Sequence, residues 1–375
     1  MSVTTPSAAR TKAPFHADHV GSFLRPGSLL ELREKHSRGE IDDPELRTHE
    51  DACIRELVRF QEDIGLWSIT DGEFRRKTFH GDFLSALDNV RFEQLFRPGH
   101  TEAGGHEAPF VAVVSGKINR PEGGVEIENF RYLRQLTERA AKQTVASPTM
   151  LHFRGGRQAI DRQAYPEMEG FFADVARVYS EEVAGLAAAG CRNLQFDDTN
   201  LAYLCDETMR GQVVERGEDP DQLPHTYAKL INDSIRTRPT DMAVSIHLCR
   251  GNARSKWFAE GGYEPVAEVL FNELDVDGFF LEYDDDRSGG FEPLRFVPEN
   301  KVVVLGLVSS KWPEMEDKEH VISRIREAST YVPLERLALS PQCGFASTAE
   351  GNRINVDVER AKLDLVVDVA REVWG

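Results

Sequence analysis

Five short apolar runs in the second half of the chain restrict its fold more than any other feature: NLQFDD, AVSIHLC, GFFLEY, KVVVLGLVSS and LALSPQCG. Helical or loop stretches separate them. Strands that are apolar on both faces cannot leave one side in water, so this pattern predicts a parallel sheet covered on both sides. The preceding stretch YSEEVAGLAAAGC carries apolar residues at helical spacing and stops at Gly190. The final stretch VDVERAKLDLVVDVAREVW places Val358, Ala361, Leu365, Val369 and Val373 along one side and predicts a closing helix.

The first half follows the same plan less regularly. HADHVGSF, LWSITDGEF and TVASPTML read as strands that end in polar residues. A Gly- and Pro-rich stretch around residues 91–125 reads as a hairpin excursion. No compositional break or short repeat cuts the chain. The expectation is an α/β fold, a (β/α)8 TIM barrel with a β-hairpin insertion, spanning 15–375 behind a flexible lead of residues 1–14. An open doubly wound sheet is the alternative, weakened by the lack of a GxGxxG after a first strand.

Composition narrows the function. A net charge of -18 argues against nucleic acid as the main partner. A mean hydropathy of -0.43 and the lack of a long apolar run argue against a membrane span. The five cysteines, Cys53, Cys191, Cys205, Cys249 and Cys343, are scattered and odd in number, which suggests reduced thiols for packing or metal. The polar N-terminus does not read as a secretory signal, so the expected compartment is the cytoplasm. A homo-oligomer is compatible with these properties.

Several expected strands end in chemically capable residues: Ser22, Glu73, Asp197, His247 with Cys249, Glu282 and Cys343. In a barrel these ends share the catalytic face. His247 and Cys249 are two apart, so on a strand they point the same way. Imidazole and thiolate are good zinc ligands, and Cys343 and Glu282 supply a further sulfur and a carboxylate. The bland alternative is a pair of inert buried thiols and a hydrogen-bonded core histidine. The acidic run 284–286, the basic stretches RQAIDRQ and RGNARSK, and the Gly pairs at 104–105, 123–124 and 289–290 read as solvated loops, faces or turns.

Seven ordered motifs are more specific together: HVGSFLRP, TDGEF, SGKINRP, LQFDD, HLC, LEY and PQCG. With them the chain resembles the catalytic half of cobalamin-independent methionine synthase, and in particular its short single-domain relatives. The resemblance implies zinc bound by His247, Cys249, Glu282 and Cys343. It implies that Ser22 and Glu73 hold the amino-acid part of homocysteine and that Asp197 pairs with its amine. The implied activity is methyl transfer to homocysteine, forming methionine, so the partners are a small-molecule thiol and a methyl or alkyl donor.

The chain departs from the long enzymes in three places. It lacks their N-terminal half. Where they carry a tryptophan that stacks on folate, it reads TMLHFRGG, with His152 and Phe153 as partial replacements. Where they carry Asp-x-His, it reads GLVSSKW, with Ser309 and Lys311. Lys311 is expected at the active-site mouth, as a fixed positive charge beside a leaving group. Two rivals stand beside this reading. One is an epoxide-opening coenzyme M transferase, in which Arg25 near Ser22 would meet a sulfonate; the other is a non-catalytic zinc- or thiol-binding protein.

Overall fold

A computed structural model describes residues 12–94 and 110–375. The five apolar runs form strands β6 (Asn193–Asp198), β7 (Ala243–Leu248), β8 (Gly278–Glu282), β9 (Val302–Val308) and β10 (Leu337–Pro341). With β5 (Gln143–Ala146) they make a six-stranded sheet in which every neighbour is parallel and next in sequence. All six residues of β6 and all five of β8 and β10 are buried, as strands covered on both faces must be.

The first half completes the ring with much shorter ladders. Strand β1 (Ser68–Ile69) pairs in parallel with β4 (Ala140–Ala141), which runs on through Lys142 into β5. At the other side Ala17 bridges Leu339 of β10, with Asp18 N–H donating to Leu339 O at 3.0 Å. Between the Ala17 segment and β1 the seam is made by side chains. Ser68 Oγ donates to Asp18 Oδ2 at 3.0 Å, and Thr70 Oγ1 donates to Gly21 O at 2.6 Å. Polar groups that replace a backbone ladder explain why the alternation was harder to read here.

The barrel lumen is filled, not hollow. Val20, Phe280, Val304 and Ala338 pack together inside it. Beside them the fully buried Lys142 donates to His19 O at 2.6 Å and pairs with Asp18 at 3.2 Å, its ammonium 4.2 Å from the Phe280 ring centroid. Such a pair is tolerated because both charges find partners without water.

Helices Met168–Ala188 and Val356–Trp374 lie where the periodicity places them, and Gly190 takes a left-handed φ of 95° past the first. The expected excursion is an antiparallel hairpin, β2 (Val90–Gln94) against β3 (Phe110–Val114). The Gly pair 104–105 and most of the expected N-terminal lead lie outside the described residues. No helix among the described residues is long and apolar enough to cross a membrane.

Candidate metal and thiol site

The C-terminal strand ends bring the expected metal ligands together. His247 lies on β7 and Cys249 just beyond it, so the two-residue period aims both inward. Glu282 is the last residue of β8, and Cys343 follows β10. Their ligand atoms all lie within 4.8 Å of one another, and all four residues are buried. The two sulfurs are 3.4 Å apart.

This donor set fits zinc on its own chemistry. One imidazole, two sulfurs and one carboxylate are the ligand types zinc takes, and four converging atoms suit a tetrahedral ion. Neither ring nitrogen of His247 has a regular hydrogen-bond partner, which is costly for a buried imidazole unless a ligand takes it. The hydrogen bond from Cys249 and the nearby His247 hold Cys343 well below the usual thiol range, and the same Cys249–Cys343 bond and burial push Cys249 up.

The surrounding shell holds these ligands in place. Arg287 donates to Glu282 Oε2 at 3.0 Å, and Arg250 N–H donates to Oε1 at 3.3 Å. Gly251 N–H donates to Cys249 Sγ at 3.3 Å. Gly251 has a φ of 92°, and a Cβ there would lie 2.2 Å from Phe258, so glycine is needed on both counts. The Asp284 side chain is buried against Arg287 at 2.8 Å. The acidic run 284–286 is therefore partly a support for the cluster, a correction to its reading as a solvated loop.

A cavity of about 170 Å³ opens onto His247, Cys249 and Cys343, and Ser22, Glu73 and Asp197 line it too. Glu73 sits at the left-handed φ of 59°, fixed by its N–H donating to Asp71 at 2.9 Å and by Arg25 donating to its carbonyl at 2.7 Å. A strained residue held this firmly at a cavity wall is typical of a functional position. Thr144 Oγ1 donates to Glu73 Oε1 at 3.1 Å, and Gln195 Nε2 donates to Asp197 Oδ1 at 2.7 Å. The other oxygen of each carboxylate has no partner. Burial, then the neighbouring Glu73, pushes Asp197 up to about 7, and burial raises Glu73 as well. Ser22 Oγ accepts from Ala346 N–H at 3.3 Å.

Other expected residues sit elsewhere. Lys311 is 0% exposed, lies outside the cavity lining, and has no hydrogen-bond partner at Nζ. It is drawn in because Ser310 Oγ donates to Gly344 O at 3.1 Å and Asn352 donates to Ser310 O at 2.8 Å. Its charge acts on Cys249 and Cys343, so it stands behind the cluster and not at the mouth. His152 binds Tyr227 at 2.8 Å and Glu218 at 2.9 Å, and Phe153 packs against Tyr203 and Tyr227. Neither lines the cavity. Arg25 spends both terminal nitrogens on the carbonyls of Glu73, Arg76, Ala346 and Thr348 and does not line the cavity where a sulfonate would sit.

The sequence reading missed His80, Arg154 and Asn252, which also line the cavity. His80 and Arg154 follow TDGEF and TML closely, so their place just past two strand ends was the available signal. RGNARSK is not a solvated face: Arg250 is fully buried, with its guanidinium 4.4 Å from the Tyr263 ring centroid, and Gly251, Asn252 and Ala253 line the cavity.

Comparison with known proteins agrees with the geometry. The family model described as "Cobalamin-independent synthase, Catalytic domain" matches residues 15–372. The uncharacterized protein YxjH of Bacillus subtilis is 43% identical over 366 residues, covering 97% of this chain and 96% of its own. A structure from Listeria monocytogenes, named as a candidate vitamin-B12-independent methionine synthase, is 40% identical with a TM-score of 0.78, over 98% of this chain and 100% of that one. The B12-independent methionine synthase of Shewanella sp. W3-18-1 shares the fold at 21% identity and a TM-score of 0.67, over 89% of this chain and 90% of its own. A match over nearly the whole length, on a barrel whose strand ends carry six of the seven motifs, with SGKINRP just past the hairpin strand β3, means that the chain belongs to the cobalamin-independent methionine synthase catalytic-domain family.

Proposed function

We propose that the protein is a zinc-dependent thiol alkyltransferase that methylates homocysteine to methionine. One observation carries this reading: a single cavity reaches both the four-ligand cluster and two buried carboxylates that each keep an oxygen free. The candidate methionine synthase from Listeria, at 40% identity, supports it.

His247, Cys249, Glu282 and Cys343 would hold the metal, which when bound removes the thiol proton and leaves the sulfur nucleophilic at neutral pH. Glu282 would be the one oxygen donor of the set, and Arg287 would keep its carboxylate paired and oriented. Glu73 and Asp197 offer their free oxygens to the substrate ammonium. Ser22 accepts from Ala346 and so keeps its own proton to donate to the substrate carboxylate. Lys311, behind the sulfurs, would favour the thiolate form of Cys249 and Cys343 and so the ligand charge that the metal needs.

Two free carboxylate oxygens favour an ammonium-bearing thiol over coenzyme M, whose sulfonate they would repel. The positions of His152 and Phe153 away from the cavity support a donor other than the polyglutamyl folate of the long enzymes. The test is to measure zinc in protein as purified and methionine formed from homocysteine across a set of methyl donors. Zinc-free protein, or protein that binds no homocysteine, sinks the proposal.

A further inference from the structure

The cavity has two tiers. Strand-end residues, from Ser22 and Glu73 to Cys343, make the floor, where the thiol reading places the sulfur and the ammonium. Residues beyond the strands make the rim: Phe79, His80, Arg154 and Phe258 from loops and Tyr203 from the short helix Asn200–Tyr203. Phe79, Tyr203 and Phe258 are apolar or weakly polar, and Arg154 is the cation among these five.

Arg154 forms no ion pair with a carboxylate among the described residues, although Asp and Glu outnumber Lys and Arg by 63 to 45 in the chain. Its close neighbours are neutral. His80 is pushed down to about 3, by burial first and then by Arg154 itself, and Tyr203 is pushed up to about 12 by burial. His80 Nδ1 is buried and has no hydrogen-bond partner, while its ring packs against Phe79 at 4.5 Å and Phe92 at 5.6 Å. Arg154 shares a side-chain hydrogen bond with Tyr203, but among the described residues its guanidinium meets no anion, and beside it stands an imidazole with a spare nitrogen, an arrangement suited to an anionic ligand.

The loop carrying Arg154 is braced on both sides. His152 is pinned by Tyr227 and Glu218, and Arg216 donates to Phe153 O while lying 5.1 Å from that ring's centroid. A Cβ on Gly155 would lie 2.3 Å from Ala159 Cβ, so the chain turns tightly just after Arg154. This bracing keeps the side chain at the rim at low entropic cost to binding.

We infer that Arg154, with His80, forms an anion-binding subsite on the rim that selects an alkyl donor bearing a carboxylate, phosphonate or phosphate group. The inference rests on the thiol reading, in which the floor is already filled by the first reactant. The second reactant enters over the rim, where aromatic rings meet its body and Arg154 meets its charge. Arg154 is thus a specificity-determining residue for the donor.

The test uses zinc-loaded full-length protein and methylphosphonate as a small anionic probe, followed by phosphorus line broadening. Homocysteine is titrated first, and the probe is then added at saturating homocysteine, for wild type, R154Q and R154K. Wild type is expected to bind the probe beside the thiol. R154Q should weaken the probe at least tenfold, R154K should restore part of it, and homocysteine affinity should stay within twofold throughout. The inference is overturned if wild type does not bind methylphosphonate beside the thiol, or if R154Q weakens homocysteine and spares the probe. Binding of 2-mercaptoethanesulfonate that is lost in R154Q also overturns it, because Arg154 then belongs to the thiol. Failure of wild type to bind homocysteine is a separate result that removes the thiol reading; titrating thiol-free protein with the probe then still decides whether Arg154 binds an anion.

Discussion

Replacing Asp197 with asparagine tests the ammonium subsite most directly, because it keeps the shape and removes the charge. Asp197 Oδ1 is already engaged by Gln195 Nε2 at 2.7 Å, so the amide should keep its oxygen on that side. That leaves the new NH2 where the unpartnered Oδ2 now faces the cavity. An acceptor becomes a donor pointing at an ammonium. A charge-assisted hydrogen bond contributes about 1.5–3 kcal/mol. The loss in homocysteine affinity should therefore be roughly 10- to 150-fold, toward the upper end because a donor now opposes a donor. Glu73→Gln should cost less, since Thr144 at 3.1 Å and Arg76 at 3.8 Å already share its other oxygen. The double variant should lose less than the sum, because Glu73 raises the cost of ionising Asp197. The assay is calorimetric titration of zinc-loaded protein with homocysteine and with 2-mercaptoethanol, which has no amine. The ratio of the two affinities is the readout, since thiol deprotonation at the metal is common to both. With Asp197 pushed up to about 7, this ratio should fall by about tenfold between pH 8 and pH 6 in wild type and stay flat in D197N. If D197N weakens both thiols equally, or neither, the carboxylates do not hold an ammonium and the substrate assignment fails.

Three further outcomes are expected. Cys249→Ser and Cys343→Ser should each lose zinc and activity while circular dichroism shows an intact barrel, because serine stays protonated and the cluster is a small part of a large core; full zinc in both variants would refute the ligand set. Lys311→Ala should make both ligand thiols harder to ionise, weaken zinc binding and lower turnover with every donor alike, and unchanged zinc affinity refutes this role. Glu359 is 1% exposed, and burial pushes it up to about 8, so the folded state holds its proton more tightly than the unfolded chain does. Stability is then greatest below the unfolded value and is lost as pH rises toward 8, by an amount on the order of 4 kcal/mol. Denaturant titrations at pH 5 and pH 8.5 should show this slope in wild type and little of it in E359Q, which keeps the acceptor for Leu24 N–H; an unchanged slope refutes the assignment.

The sequence by itself determined the sheet where burial is complete and the candidate ligands where two-residue spacing applies. Strands β6 to β10 lie on the apolar runs, and His247 with Cys249 shares one direction because a strand repeats every two residues. The first half was less legible, since Asp18, Ser68 and Thr70 make its seam with polar side chains that interrupt the apolar pattern of the strands. Tertiary structure alone decided which loop residues face the cavity. Lys311 was expected at the mouth, yet the hydrogen bonds of Ser310 and Asn352 fold it behind the sulfurs. Nothing in the sequence singled out Arg154, yet the bracing of His152 and Phe153 from residues more than sixty positions away sets it on the rim. The physical reason is one of range. Backbone periodicity and burial are set by neighbours along the chain, whereas the direction of a loop side chain is set by contacts that exist only once distant segments have packed.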